Sequence, residues 1–172
     1  RLTGIDVSSG AVEIAQHRHL NELVEGSRFE NHPFDDTGLP DGFADAVMST
    51  DALFYAADQK VLFEEVARIG KPGSRLAFTS FELRARRPVL AAGPVLDYRQ
   101  ALEAAGFEIQ TYEEAPEWES RTRAVFSGIL EQREKLQEEL GETAANLTIA
   151  WARLRPQELA DSRRVFVVAN RQ

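Results

Sequence analysis

The sequence predicts an α/β fold built on a mostly parallel, doubly wound sheet. Three observations point there. Short apolar runs alternate with segments of helical periodicity from Leu2 to Phe81. Those runs stop at polar or acidic residues, Asp6 after the first and Thr50-Asp51 after the third, as strands do where they meet a loop edge. A chain of 172 residues with 43% hydrophobic content is enough for one domain with a sizeable core.

The elements follow in order. Leu2–Ile5 reads as a short buried strand, and Ser8 and Ser9 suit a helix N-cap because a serine oxygen accepts from the first-turn amides. Val12, Ala15, His19, Leu20 and Leu23 recur at helical spacing to about Val24, and Gly26 closes that helix. Ser27–Asn31 is a short strand candidate. The loop from His32 to Gly42 is rich in Pro, Asp and Gly, with Phe34 and Leu39 set in it. Ala44–Ser49 is a strand. Asp58–Ile69 is a helix with an apolar stripe of Val61, Leu62, Val66 and Ile69 that also includes Glu65, and Gly70-Lys71-Pro72-Gly73 terminates it.

Arg75–Phe81 makes the next strand, and Glu82–Pro94 a loop carrying Arg84, Arg86 and Arg87, suited either to solvent or to an anionic substrate. A helix over Val95–Ala105 ends at Gly106, and Phe107–Tyr112 is another strand. Trp118 to Leu154 is helical with a break at Gly141. One stripe is Val125, Ile129, Leu136 and Leu140; the other is Leu147, Trp151 and Leu154. That pattern predicts a helical hairpin inserted before the last strand, Arg164–Ala169, whose apolar run reads as well buried.

Composition narrows the partners. A formal net charge of -8 argues against nucleic-acid and anionic-membrane surfaces, which call for clustered Lys and Arg. Without cysteine there is no disulfide framework or thiolate metal site, and the expected setting is cytoplasmic. His17 and His19, two apart on a helix, face different ways and share no metal; no metal site is expected.

In a parallel sheet the loops at the carboxyl ends of the strands lie together, and ligands bind there. Asp6, then Asp35 and Asp36, then Thr50 and Asp51 follow three successive strands. A carboxylate accepts from ribose hydroxyls or an adenine amine, and Val7, Phe34 and Leu39 are apolar enough to sandwich a flat ring. The pattern suits an adenosine site. Asp6 equally suits a plain helix cap.

Certain passages carry a resemblance. The order Gly4-Ile5-Asp6-Val7-Ser8, then Asp35-Asp36-Thr37-Gly38-Leu39-Pro40-Asp41-Gly42-Phe43-Ala44-Asp45-Ala46-Val47, resembles class I S-adenosylmethionine-dependent methyltransferases. So do the passages from Glu65 to Leu76 and from Leu102 to Phe107, and the helical insertion of about residues 118–155 ahead of a final strand. The resemblance implies a Rossmann-like three-layer sandwich over residues 1–172, with a terminal antiparallel strand, acting on a small-molecule substrate with S-adenosyl-L-methionine as cofactor. It implies that Asp6 holds the ribose, Val7 packs on adenine, and Asp35 and Asp36 face the adenine edge. Ser49, Thr50 and Asp51 would lie near the methionine portion and the methyl. Phe54 and Tyr55 stand where many relatives carry a histidine base, leaving Tyr55 and Asp51 as the candidate catalytic groups. Trp118, Phe126 and Trp151 are candidates for the substrate wall, and the helical insertion for a homodimer face.

The family's first strand and glycine-rich turn are absent from this sequence; they would lie just upstream of Arg1. The expectation is a gap between the strands at Leu2–Ile5 and Ala44–Met48, and a polypeptide that by itself binds cofactor weakly and is inactive. Two rival readings stay open: a NAD-dependent oxidoreductase, since an acid after the second strand also grips NAD ribose, and a truncated non-catalytic domain used for protein interaction.

Overall fold

The computed structural model describes residues 1–22, 26–84 and 97–172, with the side chains of residues 19–22 left aside. Leu23, Val24, Arg86 and Arg87, and the start of the helix expected from Val95, lie outside the described residues.

Two sheets form instead of one. Strands β1 (Thr3–Asp6) and β2 (Arg28–Asn31) pair in parallel, Asp6 opposite Asn31. The second sheet runs in the order β3 (Ala44–Thr50), β4 (Gly70–Leu83), β6 (Ser162–Arg171), β5 (Phe107–Glu114). β3 and β4 are parallel, and β6 runs antiparallel to both β4 and β5. The antiparallel last strand matches expectation. A single continuous sheet does not form: no strand among the described residues joins β1 to β3, and Met48 on β3 is 81% exposed.

Helix α1 (Ser9–Glu22) begins after Ser8, whose Oγ accepts from the Ala11 amide at 3.2 Å. Helix α2 (Gln59–Ile69) begins after Asp58, whose carboxylate accepts from the amides of Lys60 and Val61. Gly70 to Gly73, read as a helix stop, also opens the long strand β4, because a helix leaving into extended backbone passes directly into the ladder. The main core lies between one face of the second sheet and α2 with α3 (Arg99–Ala104). Leu62, Phe63, Val66, Tyr98 and Leu102 meet Leu76, Phe78, Val165 and Val167 there. Val61, expected in that stripe, is 43% exposed; Phe63 takes its place.

The insertion is three helices, α4 (Trp118–Glu131), α5 (Arg133–Leu140) and α6 (Glu142–Leu154), with a second break at Gln132. Its buried residues are Trp118, Phe126, Ala145, Ile149 and Ala152, whereas Val125, Leu147, Trp151 and Leu154 are largely exposed. α6 thus turns its alanine face inward, since small side chains allow the closest approach of two helices, and leaves its larger stripe outside. The final strand is also one-sided: Val165, Val167 and Ala169 are buried, while Phe166 reaches solvent. Phe81, on the opposite face of β4 from Phe78, packs with Trp118, Phe126, Ala152 and Leu159, so helices flank this sheet on both sides. No helix among the described residues is long and apolar enough to cross a membrane.

Candidate functional site at the strand ends

The loop edge divides into two ends, built differently. At the first, Gly4 lets Phe29 lie against the backbone of β1: a Cβ there would stand 2.5 Å from the Phe29 ring. The chain then exits at Asp6. Asp6 Oδ1 accepts from the Ser8 amide at 2.8 Å, and Asn31 Nδ2 donates to the Asp6 carbonyl at 2.9 Å. The capping role of Asp6 is real, yet among the described contacts it occupies one carboxylate oxygen of two. Val7 beside it is 71% exposed, an apolar surface open to a ring.

The loop carrying Asp35 and Asp36 is fixed from below. Buried Glu65 accepts at Oε1 from the Thr37 amide (2.8 Å) and the Thr37 hydroxyl (2.6 Å). Arg68, three residues along the same helix, donates to both Glu65 oxygens and reaches Asp41 Oδ1 at 2.6 Å. The Gly42 amide closes onto the Arg68 carbonyl, and Phe34 packs on the main core. Hydrogen bonding to Arg68, opposed by burial and aided by Thr37, draws the Glu65 pKa down to about 2. The residues that carried the resemblance, Thr37, Asp41, Glu65 and Arg68, therefore act as an architectural clamp. They present Asp35, half-buried, and Asp36, exposed, without entering the site.

At the other end, β3 runs out through Ser49 and Thr50 into Asp51, whose φ of 50° lies in the left-handed region. Arg164 of β6 grips its carboxylate, with Nε at 3.0 and 3.1 Å from the two oxygens and Nη2 2.9 Å from Oδ2. Asp51 is thus bound on both oxygens, which suits it to positioning better than to free proton abstraction. A 3₁₀ turn, Leu53–Tyr55, follows, anchored by Gln59 Nε2 donating to the Leu53 carbonyl. It starts a line of rings: Tyr55 on Phe54 (4.1 Å between centroids), Phe54 edge-on to Phe81 (5.9 Å), Phe81 edge-on to Trp118 (5.8 Å). Tyr55 is 73% exposed. Phe126 is buried in the same cluster as Trp118 and Phe81 and stands edge-on to Trp151 at 4.9 Å. Phe54, Tyr55 and Trp118 are brought into one line, with Phe126 packed behind it.

An open cleft of about 590 Å³ adjoins this line, its wall formed by Glu114, Pro116, Glu117, Trp118, Glu119 and Arg123. Glu114 Oε1 accepts from the Trp118 indole at 2.8 Å and from Arg84 at 2.9 Å, so Arg84 is engaged within the fold. Behind the cleft, fully buried Glu82 accepts from Tyr112 Oη and from Arg163 Nε at 2.5 Å, and Tyr98 Oη meets Ser80 Oγ at 2.7 Å. Burial pushes both tyrosines above their usual range, keeping them neutral hydrogen-bonding groups. Sequence reasoning missed Phe81, Glu114 and Arg164. Phe81 was visible as an apolar strand residue; nothing local marks Arg164 as a partner of Asp51.

Comparisons with known proteins bear on the fold and on the first half of the chain. Residues 1–78 match the family described as methyltransferase domain. The dimethylglycine N-methyltransferase of Parasynechococcus marenigrum is 29% identical over 126 residues, which cover 64% of this chain and 45% of that protein. The [4+2]-cyclase SpnF superposes with a TM-score of 0.77 at 22% identity, covering 99% of this chain and 66% of its own. Phosphoethanolamine N-methyltransferase 2 of Haemonchus contortus superposes at 0.79 with 18% identity, covering 98% and 43%. Residues 1–78 thus carry a methyltransferase-domain match, and the chain as a whole shares its fold with these two solved structures. It spans less than half the length of the curated relative.

Proposed function

We propose that the protein transfers a methyl group from S-adenosylmethionine to a small-molecule acceptor, in one domain over residues 1–172 whose insertion (about 118–155) walls the acceptor end. The observation that supports this most directly is the pairing of exposed Asp6 and Val7 with the clamped Asp35–Asp36 loop, a donor set suited to adenosine. Asp6 holds the ribose hydroxyls through its free oxygen, Val7 packs on adenine, and Asp35 and Asp36 address the adenine edge. Ser49, Thr50 and Asp51 border the methionine portion. The cofactor supplies a methyl on a positively charged sulfur, which a nucleophile displaces in line.

The chain's own residues then orient and exclude water. Phe54, Tyr55, Phe81 and Trp118 form a line of rings that reaches the cleft at Trp118, and Arg164 holds both carboxylate oxygens of Asp51. An amine fits such a site best, because its neutral form attacks without prior deprotonation. Two N-methyltransferases among the similar proteins support that acceptor. The exposed stripe of Leu147, Trp151 and Leu154 supports a homodimer formed through the insertion, which sedimentation velocity at several concentrations tests.

SpnF shares the fold under the name of a cyclase, so ligand binding has to be measured directly. Titration calorimetry of the full-length protein with S-adenosylhomocysteine should give binding heat. Asp6→Asn, which retains the cap to Ser8, should weaken it about tenfold. Binding of NAD alone would overturn the proposal in favour of an oxidoreductase.

A further inference from the structure

We infer that Arg164 is a positioning residue for the acceptor end of the site, holding the Asp51 turn and the cleft wall in one arrangement. The reasoning starts from backbone conformation. Among the described residues only two that are not glycine adopt positive φ, Asp51 (50°) and Glu117 (55°). Left-handed backbone is unfavourable for residues with a side chain and persists only where surrounding contacts enforce it. Arg164 sits between the two. Its side chain holds the Asp51 carboxylate on both oxygens, and its Nη2 also donates to Thr79 Oγ1 at 3.2 Å. Its carbonyl accepts from the Ala115 amide at 2.8 Å, two residues before Glu117 in the cleft wall.

The same residue lies opposite Phe81 in the β4–β6 register, and Phe81 is the ring that joins Phe54 to Trp118. The Asp51 amide is itself tied to the Thr79 carbonyl at 2.8 Å. The φ of Asp51 sets the direction in which the chain leaves β3, and so where Phe54 and Tyr55 stand. A planar guanidinium grips both carboxylate oxygens at once, which an ammonium does not reproduce. Arg164 therefore determines how the exposed ring of Tyr55 is presented at the end of the ring line that starts from the cleft at Trp118. Its consequence for acceptor choice rests on the methyl-transfer reading; the conformational part does not.

Amide hydrogen exchange read residue by residue tests it on this chain. The Tyr55 and Ala56 amides close the 3₁₀ turn onto the carbonyls of Ala52 and Leu53. In Arg164→Ala both should exchange at least tenfold faster, while amides in the middle of α2 keep their rates. Arg164→Lys should recover only a minor part of that protection. Adding Asp51→Gly to Arg164→Ala should restore it, because glycine takes positive φ without help. Unchanged exchange in Arg164→Ala, a uniform rise through α2 as well, or no recovery with glycine each overturns the inference. In a methyl-transfer assay, Arg164→Ala should raise the acceptor KM at least fivefold, with S-adenosylhomocysteine affinity changed less than twofold. Failure of the full-length protein to bind S-adenosylhomocysteine would sink the methyl-transfer reading and leave the exchange result standing on its own.

Discussion

Two carboxylate–guanidinium clamps support opposite ends of the loop edge, and they are made in different ways. Glu65 and Arg68 lie three residues apart on α2 and reach 28 and 27 residues back to Thr37 and Asp41. Asp51 and Arg164 are 113 residues apart and meet only because β6 lies beside β4. The first is anchored on a buried carboxylate; in the second both side chains keep roughly a third of their surface. A buried pair with further hydrogen bonds is costly to break, whereas a half-exposed pair mainly fixes geometry. The contrast predicts that stability resides at the Asp35–Asp36 end and orientation at the Asp51 end.

The largest expected effect tests that division. Glu65→Ala leaves the Thr37 amide and hydroxyl without their acceptor and should cost about 2–4 kcal/mol in urea unfolding. Next is the aromatic line, which is held by packing alone. Phe81→Ala should cost about 2 kcal/mol, since Phe81 is only partly buried, and should red-shift tryptophan emission as Trp118 loses its edge contact.

The pH dependence follows from Glu65. Its folded pKa of about 2 lies below its ordinary 4.5, so the clamp's stabilisation is present above about 4.5 and is lost as pH falls toward 2. The difference corresponds to about 3 kcal/mol at most, and screening at the solvent-reaching Arg68 end reduces a realistic share to about 1–2 kcal/mol. Urea midpoints of the parent chain and Glu65→Gln should therefore converge between pH 5 and pH 2.5. A constant gap would remove the ionic part of the clamp. Smallest, Arg164→Ala should lower global stability by about 1 kcal/mol or less. A loss equal to that of Glu65→Ala would break the contrast between the two ends.

How much of this was legible depended on sequence distance. The strands ending at Asp6 and Thr50, the helix cap at Ser8 and the helix over Asp58–Ile69 were readable, because periodicity and caps are local signals, and the antiparallel last strand followed from the resemblance. Asp6 read as an even choice between helix cap and ribose ligand. The cap bond to Ser8 is made, and one carboxylate oxygen is left for a ligand. Of the two stripes read in the insertion, Val125 and the run Leu147, Trp151 and Leu154 are exposed, since apolar spacing shows that a helix has a face but not which face its neighbour takes. Phe126 and Trp118, grouped by residue type, are eight residues apart on one helix and share a buried cluster.

By itself the sequence determined the order of strands and helices and the acidic residues that close the strands. These rest on interactions between residues close in the chain, whose geometry follows from helix and turn periodicity. Tertiary structure alone decided that Glu65 and Arg68 clamp the Thr37–Asp41 loop, that Phe81 joins Phe54 to Trp118, and that Arg164 holds Asp51. Each of those depends on how distant segments pack, which brings residues from 27 to 113 positions apart into contact and leaves no local trace of the partner.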